Sequence, residues 1–175
     1  MVVDRRTEIP SWAYINAQII QHAYHYGHLS ASTRHVEETY QLSPNSLDIK
    51  NPAYLISLLY CLIVVPRELW LKDNAVPSME NLFSKSVLDL FVVSKKPANF
   101  DASPVLALLR HLRNALAHVR FSIDESNNFT FWDQESEKSS PYFHATISLD
   151  NMATFLSSVG ATLANLRTKR GHPIP

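Results

Sequence analysis

Apolar positions recur every three or four residues along most of the chain, and that period predicts helices. In the first segment, opened by Pro10-Ser11, the stripe is Trp12, Ile15, Ile19, Ala23 and Tyr26, with Gly27 as the stop signal. Residues 29–50 are polar; a short helix fits 33–42, and Ser43-Pro44-Asn45-Ser46 interrupts it. Asn51-Pro52 then supplies a capping side chain and a proline suited to a first helical turn. The segment 52–72 that follows is the most apolar of the chain, which predicts a central buried helix kinked or broken at Pro66. Its run Leu62-Ile63-Val64-Val65 leaves a strand as the alternative. A further helix is expected after Ser78, with Leu82, Phe83, Val87, Leu88 and Phe91 inward and Lys95-Lys96-Pro97 at its end. Ser103-Pro104 repeats the cap-plus-proline opening and starts a helix reaching about Arg120.

Beyond Val119 the period shortens. Segments 119–123 and 129–132 are aromatic and β-branched around the turn-rich Asp124-Glu125-Ser126-Asn127-Asn128, which predicts a β-hairpin. A third strand fits 142–147, after a polar loop at 133–140. Asp150 then opens a last helix to about Arg167, with Met152, Phe155, Leu156, Val159, Leu163 and Leu166 inward. The expected fold is mainly α, a bundle of four to six helices with a small hairpin or three-strand insertion before the last helix. Residues 1–167 are expected to form a single domain, with 168–175 as a flexible tail.

Composition and chain pattern narrow this picture. Only three glycines argue against a doubly wound sheet or a barrel, which need many tight turns. Lys+Arg and Asp+Glu are equal at 16 each, so any nucleic-acid contact must come from a local patch. The longest apolar run, 54–65, falls short of the roughly 20 residues of a membrane span. No apolar signal region follows Met1, so a soluble, cytoplasmic protein is the expectation.

Two features with a chemical look are weighed against plain structural roles. Cys61 is the only cysteine and lies in Tyr60-Cys61-Leu62-Ile63, the setting of a buried small hydrophobe rather than a nucleophile. His22, His25 and His28 are three apart, so on a helix they fan by about 60° per step and converge on a metal only with distortion. No acidic residue lies near them to complete a site, and a solvated helix end is the plainer reading. No metal and no cofactor are expected.

The helix after Ser103 is different. On a wheel, Val105, Leu108, Leu112, Ala115, Leu116 and Val119 share one arc, the expected core face. Arg110, Asn114 and His118 stack by fours on the other side, and Arg113, Ala117 and Arg120 form the adjacent row. A solvated basic face would explain this, but such faces usually mix signs, and there is no acidic residue from 104 to 120. Arginine suits phosphate and developing negative charge, histidine can move a proton near neutral pH, and asparagine can hold either in place. These are the parts for metal-independent phosphodiester transfer in RNA, with the 2′-hydroxyl as nucleophile. Arg113 and His118 are five apart and diverge by about 140°, so two helices facing across a twofold axis would be needed to aim both at one phosphate.

Arg113-Asn114-Ala115-Leu116-Ala117-His118 resembles the R-x4-6-H signature of the HEPN superfamily, including a polar residue after the arginine. The layout is similar too: long helices, the motif on a late helix, a short β-insertion and a final helix. The resemblance implies a helical bundle that dimerises through the motif helices and, in catalytic members, cleaves RNA without metal to a 2′,3′-cyclic phosphate or its opened product. It implies Arg113 as the group stabilising the phosphorane, His118 as general acid or base, and Asn114 as the residue orienting them. Arg110 and Arg120 are added from the wheel as phosphate contacts. It also implies RNA as partner and a role in toxin–antitoxin or other defence systems, with an antitoxin or regulatory protein as a further partner. A non-catalytic HEPN-like module that binds RNA or protein is the alternative. The insertion at 121–147 would shape substrate access or pack on the partner.

Overall fold

A computed structural model describes residues 9–44, 46–48, 51–65 and 83–169. Helix α1 spans Ile9–His25 and closes on Gly27, whose φ of 73° lets His28 N–H reach the Ala23 carbonyl and Gly27 N–H the Tyr24 carbonyl. The stop is where the sequence puts it, but the stripe is not the buried face. Ser11 and Ala17 are buried and Tyr14 packs against the core, whereas Trp12, Ile19 and Tyr26 are exposed. Small residues win that face because α1 lies close against the last helix: a Cβ on Gly160 there would overlap the Tyr14 ring.

Helix α2, Ser30–Thr39, follows after a tight turn; it overlaps the expected 33–42 helix but starts and ends three residues earlier. Helix α3, Pro52–Leu59, opens as the sequence predicts, with the Asn51 Oδ1 accepting from Tyr54 N at 2.9 Å. It runs without a break into a π-helical turn at Tyr60–Val64, so the strand alternative at 62–65 is not adopted. Leu58, Leu59, Leu62, Ile63 and Val64 are buried, as a central helix requires. The expected kink at Pro66, the cap at Ser78 and the inward Leu82 lie outside the described residues.

Over the described part of the helix expected before Lys95, from residue 83 on, two shorter elements stand instead. A 3-10 helix at Lys85–Leu90, capped by Ser84, buries Val87, and Phe83 and Phe91 on either side of it in the chain are buried too. Strand β1, Val92–Lys95, follows directly. After a 3-10 turn at Phe100–Ala102, helix α4 spans Pro104–Ala117. Strands β2 (Phe121–Ile123), β3 (Phe129–Asp133) and β4 (Phe143–Ile147) then complete an antiparallel four-stranded sheet in the order β1-β4-β3-β2. The β-structure is therefore not a two- or three-strand insertion between the motif helix and the last helix. Its β1 edge comes from ahead of α4.

Alternation fixes which way the sheet faces. Phe129, Phe131 and Asp133 on β3, and Phe143, Ala145 and Ile147 on β4, are buried in step, and β3 packs on α4. The last helix, α5, spans Leu149–Lys169, two residues beyond the expected domain boundary, and residues 170–175 lie outside the described set. The Ser148 hydroxyl and carbonyl, rather than Asp150, take the first amides, from Asn151 and Met152. Met152, Phe155, Leu156, Val159 and Leu163 are buried as expected; the Leu166 side chain is outside the described set. Helix α4 thus lies with β3 on one side and the π-helical turn on another, while α5 packs on α1 and α3. No helix of the described residues is long and apolar enough to cross a membrane.

Candidate active site

Helix α4 is buried over more of its circumference than the wheel allows. Ala107, Leu109 and His111 are buried along with the expected Val105, Leu108, Leu112, Ala115 and Leu116. What reaches the surface is a strip: Arg110, Ala117 and His118 are exposed, and Arg113 and Asn114 are half-buried. The sheet narrows the polar side from one flank, the π-helical turn from another.

The helix ends three residues before the expected Arg120, and the way it ends redirects two side chains. His118 is the C-cap and Val119 takes a left-handed φ of 54°. Arg120 N–H then bonds the Ala115 carbonyl at 2.7 Å and Val119 N–H the Leu116 carbonyl at 3.2 Å, the same closure that Gly27 makes after α1. Val119, expected in the core, is 73% exposed. Arg120 leaves the polar row and turns inward, its Nη1 donating to the Gln134 carbonyl at 2.6 Å and lying 3.4 Å from Asp133 Oδ1. Its surroundings make it a strut of the fold rather than an open phosphate contact.

Asp133 is where the strip is anchored. The alternation of β3 carries this carboxylate to the buried face, where it is 2% exposed. Its Oδ2 accepts from Asn114 Nδ2 at 2.8 Å, His111 Nδ1 at 2.9 Å and the Tyr142 hydroxyl at 3.0 Å; its Oδ1 accepts from Gln134 N at 2.9 Å. Burial alone would push the Asp133 carboxyl up, but the hydrogen bonds from His111, Asn114 and Tyr142 hold it below the ordinary carboxylate range. An ionised Asp133 accepts only, so His111 Nδ1 carries its proton toward it. The His111 ring stacks on Phe143 at 4.6 Å and meets Tyr142 edge-on at 5.6 Å. Burial and the neighbouring Asp133 both raise the Tyr142 hydroxyl.

From Asp133 the order passes outward. Asn114 Oδ1 accepts from Arg113 Nη1 at 3.1 Å, so the Asn114 amide is bonded at both ends. Arg113 and Asn114 are therefore brought together. His118 is not: its exposed ring sits past the last turn and has no hydrogen-bond or ring partner among the described residues. Arg110, one turn before Asn114, is exposed and likewise has no ion-pair partner among them. A groove of about 400 Å3 opens between α4 and the 97–103 connector, with Arg110, His111, Asn114 and Tyr142 on its polar side. A larger hollow of about 770 Å3 beside α2 contains no motif residue, and its Arg34 lies among Glu37 and Glu38. Its charges are mixed in sign and do not converge, so the smaller groove is the better candidate.

His22, His25 and His28 gather around the Tyr26 ring, with centroids at 4.5, 5.0 and 6.4 Å. Among the described residues no group of three or more His, Cys, Asp or Glu is arranged to hold a metal. Cys61 is half-buried, and burial pushes its thiol up, away from the thiolate a nucleophile needs.

Sequence reasoning missed His111, Asp133 and Tyr142. One signal was present: Phe129, Phe131 and Asp133 alternate, so extending the strand by one residue past Trp132 would have placed the carboxylate inward. A family model described as HEPN pEK499 p136 matches residues 13–170, which takes in the whole site. No curated protein and no solved structure matches the chain.

Proposed function

This chain belongs to the family HEPN pEK499 p136, a HEPN-type domain, and from that premise we propose that it is a metal-independent RNA endonuclease working as a homodimer. In this reading the RNA 2′-hydroxyl attacks the adjacent phosphorus, the bond to the 5′-oxygen of the next nucleotide breaks, and a 2′,3′-cyclic phosphate is left. His118 takes the hydroxyl proton or returns one to the leaving oxygen, and Arg113 stabilises the charge on the phosphorane. Asn114 orients Arg113, since both ends of its amide are already bonded within the chain. Arg110 contacts a substrate phosphate, and Arg120 is assigned to holding Asp133 in place. The exposed strip of α4 is narrow, and Arg113 and His118 diverge by about 140° along it, which supports a composite site made by two such strips. A cytoplasmic role in a toxin–antitoxin or defence system, with a restraining partner protein, belongs to the same reading.

The observation that carries it is the chain of bonds from Asp133 through Asn114 to Arg113, because such pre-ordering holds a guanidinium in one pose before substrate arrives. One observation favours a second reading, a non-catalytic RNA-binding module: His118 has no group among the described residues to set its tautomer. RNA cleavage in EDTA by wild type, Arg113→Ala and His118→Ala, with sedimentation of each, separates the two. Cleavage by a wild-type dimer that both variants lose supports the nuclease; RNA retention without product supports the binding module. Equal cleavage in all three proteins would sink the nuclease reading.

A further inference from the structure

The groove beside α4 lies next to the motif without being part of it. Asn114 belongs to both, and Arg110 stands one helical turn ahead of it, about 6 Å along the axis, with His118 about 12 Å beyond Arg110. A polynucleotide held at Arg113 and His118 that continued toward the start of α4 would therefore run past Arg110. The nearest carboxylate on the connector is already neutralised: Asp101 pairs with Lys96 at 2.8 Å through both oxygens. Among the described residues Arg110 has no ion-pair partner and stands exposed at the groove's rim, fit to take a phosphate.

The lining suits what hangs from that phosphate. Pro97, Ala102 and Leu106 contribute apolar lining, the Tyr142 ring contributes an aromatic one, and Asn99 offers an amide. Flat apolar and aromatic surfaces with a few hydrogen-bonding groups are how proteins hold single-stranded bases. The volume, about 400 Å3, is near the lower end of small-ligand sites, which suits one nucleotide and not a duplex. A paired base would have to be unstacked before it could enter.

We propose that this groove is a subsite for one unpaired nucleotide flanking the scissile phosphate, with Arg110 on its phosphate and Asn99 and Tyr142 on its base. The proposal rests on the reading of this chain as an RNA-processing protein and adds the residues that choose the sequence or structure of the RNA. The test is fluorescence anisotropy with 2′-O-methyl oligonucleotides, which lack the nucleophile and cannot be cleaved. Single strands and a duplex of the same sequence are compared on wild type, Arg110→Glu and Ala102→Trp. Ala102 is exposed on the connector, so its indole replacement fills the groove without altering the core or the charge. Single strands should bind about tenfold tighter than the duplex, and each variant should weaken that binding about tenfold while unfolding at the wild-type temperature. Equal binding of duplex and single strand, unchanged binding by Ala102→Trp, or no binding at all overturns the subsite. Cleavage of ordinary RNA in EDTA is scored separately. Groove-dependent binding without cleavage removes the nuclease and keeps the subsite; cleavage with binding indifferent to Ala102→Trp does the reverse.

Discussion

Asn114 Nδ2 donates to Asp133 Oδ2 at 2.8 Å, so a motif residue on α4 is fixed by a carboxylate that the sequence supplies nineteen positions later, on β3. The same oxygen receives His111 and Tyr142, so the β-sheet is tied directly to the motif helix. Asp133→Asn keeps the shape but sets an N–H2 group among donors. We expect a loss of about 3 kcal/mol in urea unfolding and, in an active nuclease, a fall of about a hundredfold in cleavage. A variant as stable and as active as wild type would remove the hub from the account.

Acid should reveal the same carboxylate. Its folded value is depressed, so the unfolded chain binds the proton more readily, and Asp133 stabilises the fold above the unfolded value of about 4. That contribution is lost as pH falls below about 4, through the folded value. Asp124 is also lowered, chiefly by its hydrogen bond from the Asn128 side chain, but it is exposed and weighs little. Melting curves from pH 6 to pH 2 should fall more steeply for wild type than for Asp133→Asn. Parallel curves would assign acid sensitivity to other groups.

Two helix ends closed by the same hydrogen bonds make opposite predictions. Gly27 adopts its left-handed φ freely, and an added Cβ there meets only Ser30 Oγ at 3.6 Å, so Gly27→Ala should cost about 1 kcal/mol through the backbone alone. Val119 holds φ 54° with a branched Cβ, and its side chain is mostly exposed, so Val119→Gly should stabilise by about 1 kcal/mol, or about 2–4 °C. Thermal unfolding of both variants checks the pair. A destabilised Val119→Gly would mean that the side chain has contacts its exposure hides.

The docking of α1 on α5 turns on one missing side chain. A Cβ at Gly160 would overlap the Tyr14 ring, so Gly160→Ala should destabilise by about 1–3 kcal/mol. Tyr14→Ala in the same chain should recover part of that loss, measured as a coupling energy in a double-mutant cycle. Additive effects would place the two residues apart.

The helical frame was legible where local chemistry decides it. The Asn51-Pro52 opening, the Gly27 stop and the buried face of α5 all follow from capping, backbone freedom or period. It failed where neighbours decide. Trp12, Ile19 and Tyr26 fit a stripe, yet close approach to Gly160 favours the face of Ser11, Tyr14 and Ala17. Strand β1 was hidden because Val92–Lys95 is mostly exposed and has its partner fifty residues away in β4. Within the site, Arg113, Asn114 and His118 were readable as a motif on one helix. His111 and Asp133 were not, because a buried acid facing a helix can be seen only once strand and helix are packed. Arg120 was misplaced by assuming that a helical wheel continues through Val119.

The pairing of β1 with β4 has a temporal meaning as well. The chain from Val92 to Thr146 is a loop tied at its ends by that ladder, with the motif helix inside it. On a ribosome, α4 emerges before Asp133 and well before β4. Until β3 has emerged, Asn114 and Arg113 lack the carboxylate that holds them, so folding of the sheet sets the moment at which the arginine takes its pose.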